Sequence, residues 1–592
     1  MLLAAGSRCL TAVCLSGIFL SSVGFAFPSA AQTAASSAAP KKQLPADQRA
    51  FHAAQAVTDP EKRLAALRQF IQQFPKSTRV DRAQSEILDV LLKNFPDRAA
   101  EIDAQAKLLV KKSGKGETKL SEESNVADNL ADAGTHGVDL ATAEKFARDA
   151  ADKLMEPPYD KEMTKAYKKY KQPRPSTKDL HDDFAEARAN ALSALADVCL
   201  REGDLPQATA ALDEAYALDP MVDEVNALRG EVALAQHKDA EALTDFERAQ
   251  LLGELKARLR SKMMALYAAQ HGGSDAGFVA EMDARYAELY PAPQPPAMHT
   301  PVASGHTVLL ELFTGSACPP CVGGDLAVDD ILASYPRNEV VALAFDQHIP
   351  EPDPLANPDS EARADVYHVA STPSYVVDGK LEQIYGGRRT GSGKLYDKLV
   401  KDLNPELAKP CSVQLKLSAD RSSGTVHVVA VVVTGDSNSL AEKTPPPPPP
   451  VKPDTPDNTK PTPPPAATFP APSPQLVLNF ALVEDDVRYS GENGVRFHRM
   501  VVRSLAKPAD GGFPVEPSKT ATVDATFDLT EISQQLGAYL AKYEKSNPRF
   551  GEIEFLSKDT TMQPNHLAVA AWVQDETTHR VLQSAYFPLG GM

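Results

Sequence analysis

The segment VLLELFTGSACPPC, residues 308–321, joins an apolar run to two cysteines that flank a pair of prolines. The run VLLELF has the composition of a buried strand. Proline is tolerated in the first turn of a helix, because its missing N–H would have no intrahelical partner there. The segment therefore predicts a strand over 308–313, a turn that carries Cys318, and a helix over about 321–334.

The residues that follow continue an alternating order of strands and helices. We expect a strand at 340–345, a helix at about 359–370, two strands around the Asp378–Gly379 turn, and a last helix over about 392–403. A strand–helix–strand unit followed by a hairpin and a helix predicts a small α/β domain over residues 306–404.

The region before this domain has a helical pattern. Residues 44–289 are rich in Ala, Leu, Glu and Lys with helical periodicity, which predicts an all-α domain. Small and apolar residues recur where a tetratricopeptide repeat of ~34 residues requires them, and a generic helical bundle is the alternative. They are Gly203, Ala208, Leu212, Ala215 and Pro220, then Gly230, Ala242, Phe246 and Ala249. The Pro-rich segment 290–305 predicts an exposed linker.

The region after the α/β domain has a strand pattern. Alternating and continuous apolar runs over 411–592 predict an antiparallel β-sandwich, with a helix at about 530–543. The Pro-rich segment 444–474 cannot pair as a strand, so we expect an extended insertion that serves as a spacer or binds a partner. The predicted fold class is a multidomain chain with helical repeats, an α/β domain and a mostly-β sandwich.

The N-terminus and the net charge limit the compartment and the partners. Residues 1–31 combine Arg8, an apolar stretch over 9–27 and small residues before Gln32, which is typical of a cleaved secretory signal. A retained membrane anchor is the alternative. With the signal removed, we expect a periplasmic or secreted protein that has no stable membrane span. A formal net charge of −17 argues against nucleic acid or anionic lipid as the main partner.

Four cysteines remain after removal of the signal, namely Cys199, Cys318, Cys321 and Cys411, which are too few for a disulfide-stapled scaffold. A structural zinc site takes four ligands and no second CxxC motif exists, so we expect no metal and no cofactor. A redox pair fits best: Cys318, at a helix N-terminus, is the exposed attacking thiol, and Cys321 resolves the mixed disulfide. A structural crosslink is the alternative, although so short a loop gains little stability.

Three motifs resemble the thioredoxin superfamily over 306–404: VLLELFTGSACPPC, STPSYVVDG and the Gly-Gly pair before the last helix. The ELFTG sequence is similar to a secreted branch whose outer-membrane-associated members end in a β-sandwich, as LNFALVED, FHRMVVR and VAAWVQDE also suggest. The resemblance implies that Pro373 is cis and faces the cysteine pair, and that the Thr372 backbone contacts a substrate chain.

The resemblance also concerns two positions near the pair. Glu311 falls where the family often has a buried acid under the second cysteine, and a carboxylate there could take the proton of Cys321. A solvated strand face is the alternative for Glu311. Ala317 departs from the family, whose best-studied reductases place Trp there, so partner choice stays open.

These features predict an extracytoplasmic thiol–disulfide oxidoreductase that acts on protein cysteines. The helical repeats and the sandwich would recruit or position its protein clients. The alternative is a non-catalytic, envelope-associated interaction scaffold in which Cys318–Cys321 is a permanent disulfide.

Overall fold

The computed structural model describes residues 45–132, 137–169, 175–253, 255–291, 294–382, 384, 386–435, 475–506, 511–547, 553–555 and 557–590. The expected signal 1–31 and the Pro-rich insertion 444–474 lie outside these ranges. The described residues fall into two compact units. One extends to Arg285 and includes the segment that begins at Ala541; the other runs from Tyr286 to Leu540 and continues from Ser557.

The first unit is built of helices in short succession. They are α1 Ala46–Gln55, α2 Pro60–Gln73, α3 Val80–Asn94, α4 Ala99–Lys112, α5 Glu117–Asp132, α6 Leu140–Lys153, α7 Glu156–Lys169, α8 Thr177–Glu202, α9 Leu205–Leu218, α10 Asp223–Ala235, α11 Asp239–Leu252, α12 Ala257–Gln270 and α13 Phe278–Leu289. The predicted helical region is therefore confirmed. Across the described part of the chain, no helix has both the length and the apolar composition to cross a bilayer.

Helices α8 to α11 show why the repeated small residues are needed. Helix α8 ends at Glu202 and is capped by Gly203, whose φ is 82°. The next residue, Asp204, caps α9, so the two helices are close neighbours in a hairpin. In the next pair, a Cβ atom at Gly230 would lie 2.5 Å from the ring of Phe246. Ala208 and Ala242 are fully buried. The sequence pattern thus marks positions where helices approach closely.

The second unit combines strands with four helices. The strands are β1 Val308–Thr314, β2 Val340–Asp346, β3 Ser374–Val377, β4 Lys380–Glu382, β5 Val413–Ser422, β6 Thr425–Thr434, β7 Leu476–Glu484, β8 Val487–Arg488, β9 Phe497–His498, β10 Val501–Leu505, β11 Phe513–Val515, β12 Thr520–Asp528, β13 Leu567–Asp575 and β14 Val581–Pro588. The helices are α14 Cys321–Ser334, α15 Pro358–Val366, α16 Ser392–Leu407 and α17 Leu529–Ser546. The predicted order of strands and helices after the CPPC segment is confirmed.

One continuous sheet joins two regions that the sequence separates. Its strand order is β14-β13-β7-β10-β2-β1-β3-β4, with β11 beside β7. The junction is the parallel pairing of β10 with β2, where Val501 lies opposite Ala344. The predicted break between 306–404 and 411–592 is thus not a break in the sheet. Strand β10 covers an edge of β2 that would otherwise have unpaired backbone groups.

A second sheet, in the order β12-β6-β5, forms the other layer of the C-terminal region. Val426, Val428 and Val432 of β6 form a buried cluster with Leu478 and Phe480 of β7. The two sheets therefore enclose one apolar core between them. This arrangement agrees with the predicted mostly-β region.

The Pro-rich segment before β1 makes specific contacts with the α/β region. His299 donates its backbone N–H to Ser334 at 2.7 Å, and its ring stacks on Tyr335. The carboxylate of Glu339 accepts the N–H of Val302 and contacts the His299 ring. Most described residues of 290–305 are exposed, as expected of the Pro-rich segment, and buried Glu339 holds its later part against the α/β region.

Candidate functional site

Cys318 and Cys321 form a disulfide between the end of β1 and the start of α14. The N–H of Cys318 donates to Gly315, and the N–H of Cys321 donates back to the carbonyl of Cys318 at 2.9 Å. Two consecutive turns therefore place Cys321 as the first helical residue. Pro319 and Pro320 have no N–H, so they cost no hydrogen bond at the helix start. The predicted pairing of these two cysteines is present.

Two glycines attach the CPPC turn to the segment before α16. The N–H of Gly387 donates to Pro320 at 2.8 Å, and Gly323 donates to Gly387 at 3.0 Å. A Cβ atom at Gly386 would lie 2.2 Å from the Pro320 carbonyl oxygen and 2.7 Å from Cδ of Pro373. Only glycine fits at this position. The Gly-Gly pair thus brings the CPPC turn and Pro373 together.

Thr372 and Pro373 lie beside the disulfide. The Thr372–Pro373 peptide bond is cis, as the resemblance implies. The Thr372 hydroxyl donates to the Ile349 carbonyl at 2.7 Å. The hydroxyl oxygen of Thr372 also lies 3.4 Å from the sulfur of Cys318. The side chain of Thr372 is therefore fixed against the sulfur. The roles of Thr372 and Pro373 in contacting a substrate chain stay predictions.

Cys318 is less accessible than the sequence suggests. Its relative exposure is 1%, and that of Cys321 is 0%. Pro319 and Pro320 are exposed. The expectation that Cys318 is an exposed thiol is therefore wrong for this conformation, because the turn presents its prolines and not its sulfurs to solvent.

Glu311 lies on the opposite face of the sheet from Cys321. Its carboxylate binds the guanidinium of Arg363 at 2.6 Å and accepts the hydroxyl of Tyr367. Side chains alternate along a strand, so Glu311 and Thr314 point to opposite faces, and Thr314 contacts helix α14. Glu311 is fully buried, so the solvated-face alternative is also wrong. Glu311 therefore forms a buried ion pair with Arg363, to which the hydroxyl of Tyr367 adds a hydrogen bond.

Asp325 is the acid that the sequence reasoning missed. It lies four residues after Cys321 in α14, and this spacing places the two side chains on one helix face. The hydroxyl of Thr314 donates to its Oδ1 at 2.6 Å. Burial raises the pKa of Asp325 to about 8. Helical spacing counted from Cys321 could have found it.

Two acids nearby are fully buried, Asp346 at the end of β2 and Asp353 in the loop that follows it. Asp353 accepts the backbone N–H groups of Ser316 and Leu355, and burial raises its pKa to about 6. Asp346 ends β2, and neither of its carboxylate oxygens has a hydrogen-bond partner among the described residues. Burial raises the pKa of Asp346 well above its ordinary value. The region around the CPPC turn therefore favours protonated carboxyl groups.

The other two cysteines of the described residues, Cys199 and Cys411, are free thiols. Cys199 is buried, its thiol donates to Gln207 at 3.2 Å, and burial raises its pKa to about 11, as suits an unreactive packing residue. Cys411 donates to the carbonyl of Val413. Among the described residues, no group of three His, Cys, Asp or Glu side chains is arranged to hold a metal ion.

The solved structures that resemble this chain share little sequence identity with it. No family model matches the chain, and no curated protein matches it. HBP35 of Porphyromonas gingivalis is 12% identical over 50% of this chain and 77% of that chain, with a TM-score of 0.31. A thermophilic TPR protein of Thermus thermophilus is 14% identical over 38% of this chain and 99% of that chain, with a TM-score of 0.24.

A domain of the outer membrane lipoprotein Omp28 from Porphyromonas gingivalis is 11% identical over 30% of this chain and 89% of that chain, with a TM-score of 0.15. Scores this low do not establish a shared fold. The thioredoxin-like assignment of residues 306–404 is therefore still a prediction, and the interpretation of the chain depends on its own residues.

Proposed function

We propose that the protein is an extracytoplasmic interaction scaffold whose Cys318–Cys321 disulfide exchanges with thiols of bound proteins. One observation carries the exchange proposal. The sulfur of Cys318 lies at the N-terminal turn of α14 and 3.4 Å from the Thr372 hydroxyl, in the segment that leads into strand β3. A helix N-terminus stabilises a thiolate, and the Thr372 hydroxyl can turn its one proton from the Ile349 carbonyl to a thiolate at Cys318.

The exchange step follows from the order of the two cysteines. In the reduced protein, the Cys318 thiolate attacks a client disulfide, forms a mixed disulfide and releases one client thiolate. The Cys321 thiolate then attacks the Cys318 sulfur and releases the second client thiolate. The client gains two electrons and the pair loses two, and the reverse sequence oxidises a client dithiol.

Asp325 is suited to accept the proton that Cys321 loses in the second step. Its pKa of about 8 lies near the ordinary thiol pKa of about 8.5, so the proton can move between the two groups at little cost. In this proposal Asp325 has the proton-accepting role that was expected of Glu311, because Asp325 lies on the same helix face as Cys321.

The helical unit would supply the interaction surface. Its helices pack as neighbouring pairs, and stacked pairs form extended surfaces that bind proteins. The client would thus be bound by one part of the chain and chemically changed by another.

The second candidate is a scaffold in which the disulfide is permanent. The burial of both sulfurs favours it, since Cys318 is 1% exposed and Cys321 is 0% exposed. This candidate needs only the interaction role that both proposals share, and nothing in the comparisons goes beyond that role.

A redox titration separates the two candidates. The protein would carry Cys199→Ser and Cys411→Ser, so that only the Cys318–Cys321 pair reports. Its reduced fraction is measured after equilibration in glutathione and dithiothreitol buffers. An exchanging pair should have a potential above about −300 mV, whereas a value below about −300 mV is typical of a structural disulfide and would overturn exchange.

A further inference from the structure

The short hairpin of β8 and β9 lies against the turn that precedes Cys318. The backbone N–H of Asn493 donates to the Ser316 carbonyl at 2.9 Å, and its side-chain amide donates to the Gly315 carbonyl at 3.3 Å. The same amide contacts Oδ2 of Asp325 at 3.3 Å. One side chain from the C-terminal region thus binds both the CPPC turn and the nearby acid.

The contact leaves no space between the hairpin and the turn. A Cβ atom at Gly491 would lie 2.6 Å from the Ser316 carbonyl oxygen and 2.8 Å from its Cβ. Ser316 itself is 1% exposed, two residues before a cysteine that is equally buried. The hairpin therefore covers the approach to Cys318 along the preceding turn.

A second set of contacts fixes the tip of the hairpin. The guanidinium of Arg389 donates to the Gly494 carbonyl at 2.6 Å, and the hydroxyl of Tyr286 donates to the same oxygen at 3.3 Å. Arg389 also lies 3.6 Å from the ring centre of Tyr290. Arg389 lies in the short turn before α16, so a second segment of the chain also holds the tip.

The pairing within the hairpin is short. Strands β8 and β9 pair only at Val487 with His498 and at Arg488 with Phe497, and they form a sheet of their own. Few backbone bonds would have to change for the segment between them to move. Its position depends on the backbone bond from Asn493 to Ser316 and on the side-chain contacts of Asn493 and Arg389.

We propose that residues 489–496 form an autoinhibitory cap over the Cys318–Cys321 disulfide, held by Asn493 and Arg389, which must open before a thiol reaches the pair. This inference rests on the proposed exchange function for its biological meaning. The cap explains how a pair built for exchange can be almost fully buried. It also makes opening a step that a bound client could favour.

Access can be measured without any client. In the Cys199→Ser, Cys411→Ser background, the protein is treated with dithiothreitol, and the reduced pair is counted by alkylation and mass spectrometry over time. Loss of one or two hydrogen bonds of about 1 kcal/mol each should raise the population of the open state by about tenfold. We expect Asn493→Ala and Arg389→Ala to be reduced about tenfold faster than the parent protein.

The matched control is Arg488→Ala, an exposed position in the same hairpin, which should be reduced at the parent rate. Opening alone speeds reduction and reoxidation equally, so the reduced fraction at a fixed redox buffer should not change. Parent rates in both variants would overturn the cap. A shifted reduced fraction that accounts for the faster reduction would also overturn it, because the variants would then have altered the disulfide itself.

Hydrogen exchange of the unmutated protein gives an independent test that needs no variant to fold. The amide of Asn493 should exchange by local opening, well before the amide of Leu310 in the central strand β1. Equal protection of the two amides would overturn the cap. A potential below about −300 mV with faster reduction of the variants would overturn the exchange function and support the cap. A potential above about −300 mV with unchanged reduction rates would support exchange and overturn the cap.

Discussion

Glu231 in the helical unit and Asp325 beside the CPPC turn are two shielded carboxyl groups whose pKa values are shifted in opposite directions. In the helical unit, burial alone would raise the pKa of Glu231, but hydrogen bonds from Arg258 and Arg201 outweigh it and lower that pKa to about 2. Beside the CPPC turn, Asp325 has a hydroxyl and an amide as its partners, and burial raises its pKa to about 8. At neutral pH Glu231 is therefore an ionised carboxylate, whereas Asp325 is mostly protonated. The difference fits a structural role for Glu231 and is the basis of the proton-transfer role that we propose for Asp325.

The largest expected effect is on the cysteines themselves. Cys321→Ser should stop turnover and leave clients trapped as mixed disulfides through Cys318, because no second thiol remains to release them. The trapped species are detected on non-reducing gels, and dithiothreitol should release them. Cys318→Ser is the matched variant and should trap nothing. Trapping by Cys318→Ser but not by Cys321→Ser would reverse the two roles.

The second test removes the paired charge of the helical unit. Glu231→Gln leaves Arg201 and Arg258 with less of their compensating charge, and breaking a buried ion pair of this kind should cost about 3 kcal/mol. Urea unfolding followed by circular dichroism measures the change. Glu241→Gln, in the exposed pair with Lys238, is the matched control and should cost at most about 0.5 kcal/mol. Equal losses of stability in the two variants would remove the contrast between Glu231 and Asp325.

The sequence predicted the helix pairs and the order of elements around CPPC, because these depend on local spacing. Gly230 against Phe246 and the prolines before α14 are examples. It did not predict that β10 joins β2, because a pairing between Val501 and Ala344 leaves no local pattern. It also failed to place Glu311. Every residue of β1 is buried, so polarity does not show which side chains face which layer.

The third test asks whether Asp325 acts on the thiol. Asp325→Asn should slow client exchange about 100-fold, the lower range for loss of a general acid or base. It should also remove from the rate–pH profile the group that titrates near pH 8. Asp330→Asn is the control, because it lies five residues further along α14 on another helix face. A slower rate with an unchanged pH profile would assign Asp325 a purely structural role.

The smallest effect is the pH dependence of stability, and it tests the contrast most directly. Between its ordinary value of 3.8 and about 8, the folded Asp325 holds a proton that the unfolded carboxyl has released. Folding therefore binds protons in this window, and the free energy of unfolding falls as the pH rises, by at most about 1.4 kcal/mol per pH unit for one group. Glu231 has the opposite sign, since its stabilisation is present above pH 4.5 and is lost as the pH falls toward about 2.

The window from pH 6.5 to 8 lies above the range in which two buried histidines change the stability. The low pKa values of His348 and His498, about 3 and about 4, oppose Asp325 only below pH 6.5. His306, whose pKa is raised to about 9 by its bond to Asp378 against the effect of burial, loses stabilisation in the same direction as Asp325. These groups cancel when the unmutated protein is compared with Asp325→Asn.

The unfolding of the second unit can be followed by the fluorescence of Trp572, the only tryptophan of the chain. Asp325→Asn should gain stability relative to the unmutated protein as the pH rises from 6.5 to 8, because the amide has no proton to lose. Below pH 4 the advantage should be absent, since the carboxyl is then protonated in both states. A constant difference between the two proteins across this range would mean that Asp325 keeps its ordinary pKa. The acid beside the CPPC turn would then differ from Glu231 in its partners but not in its chemistry.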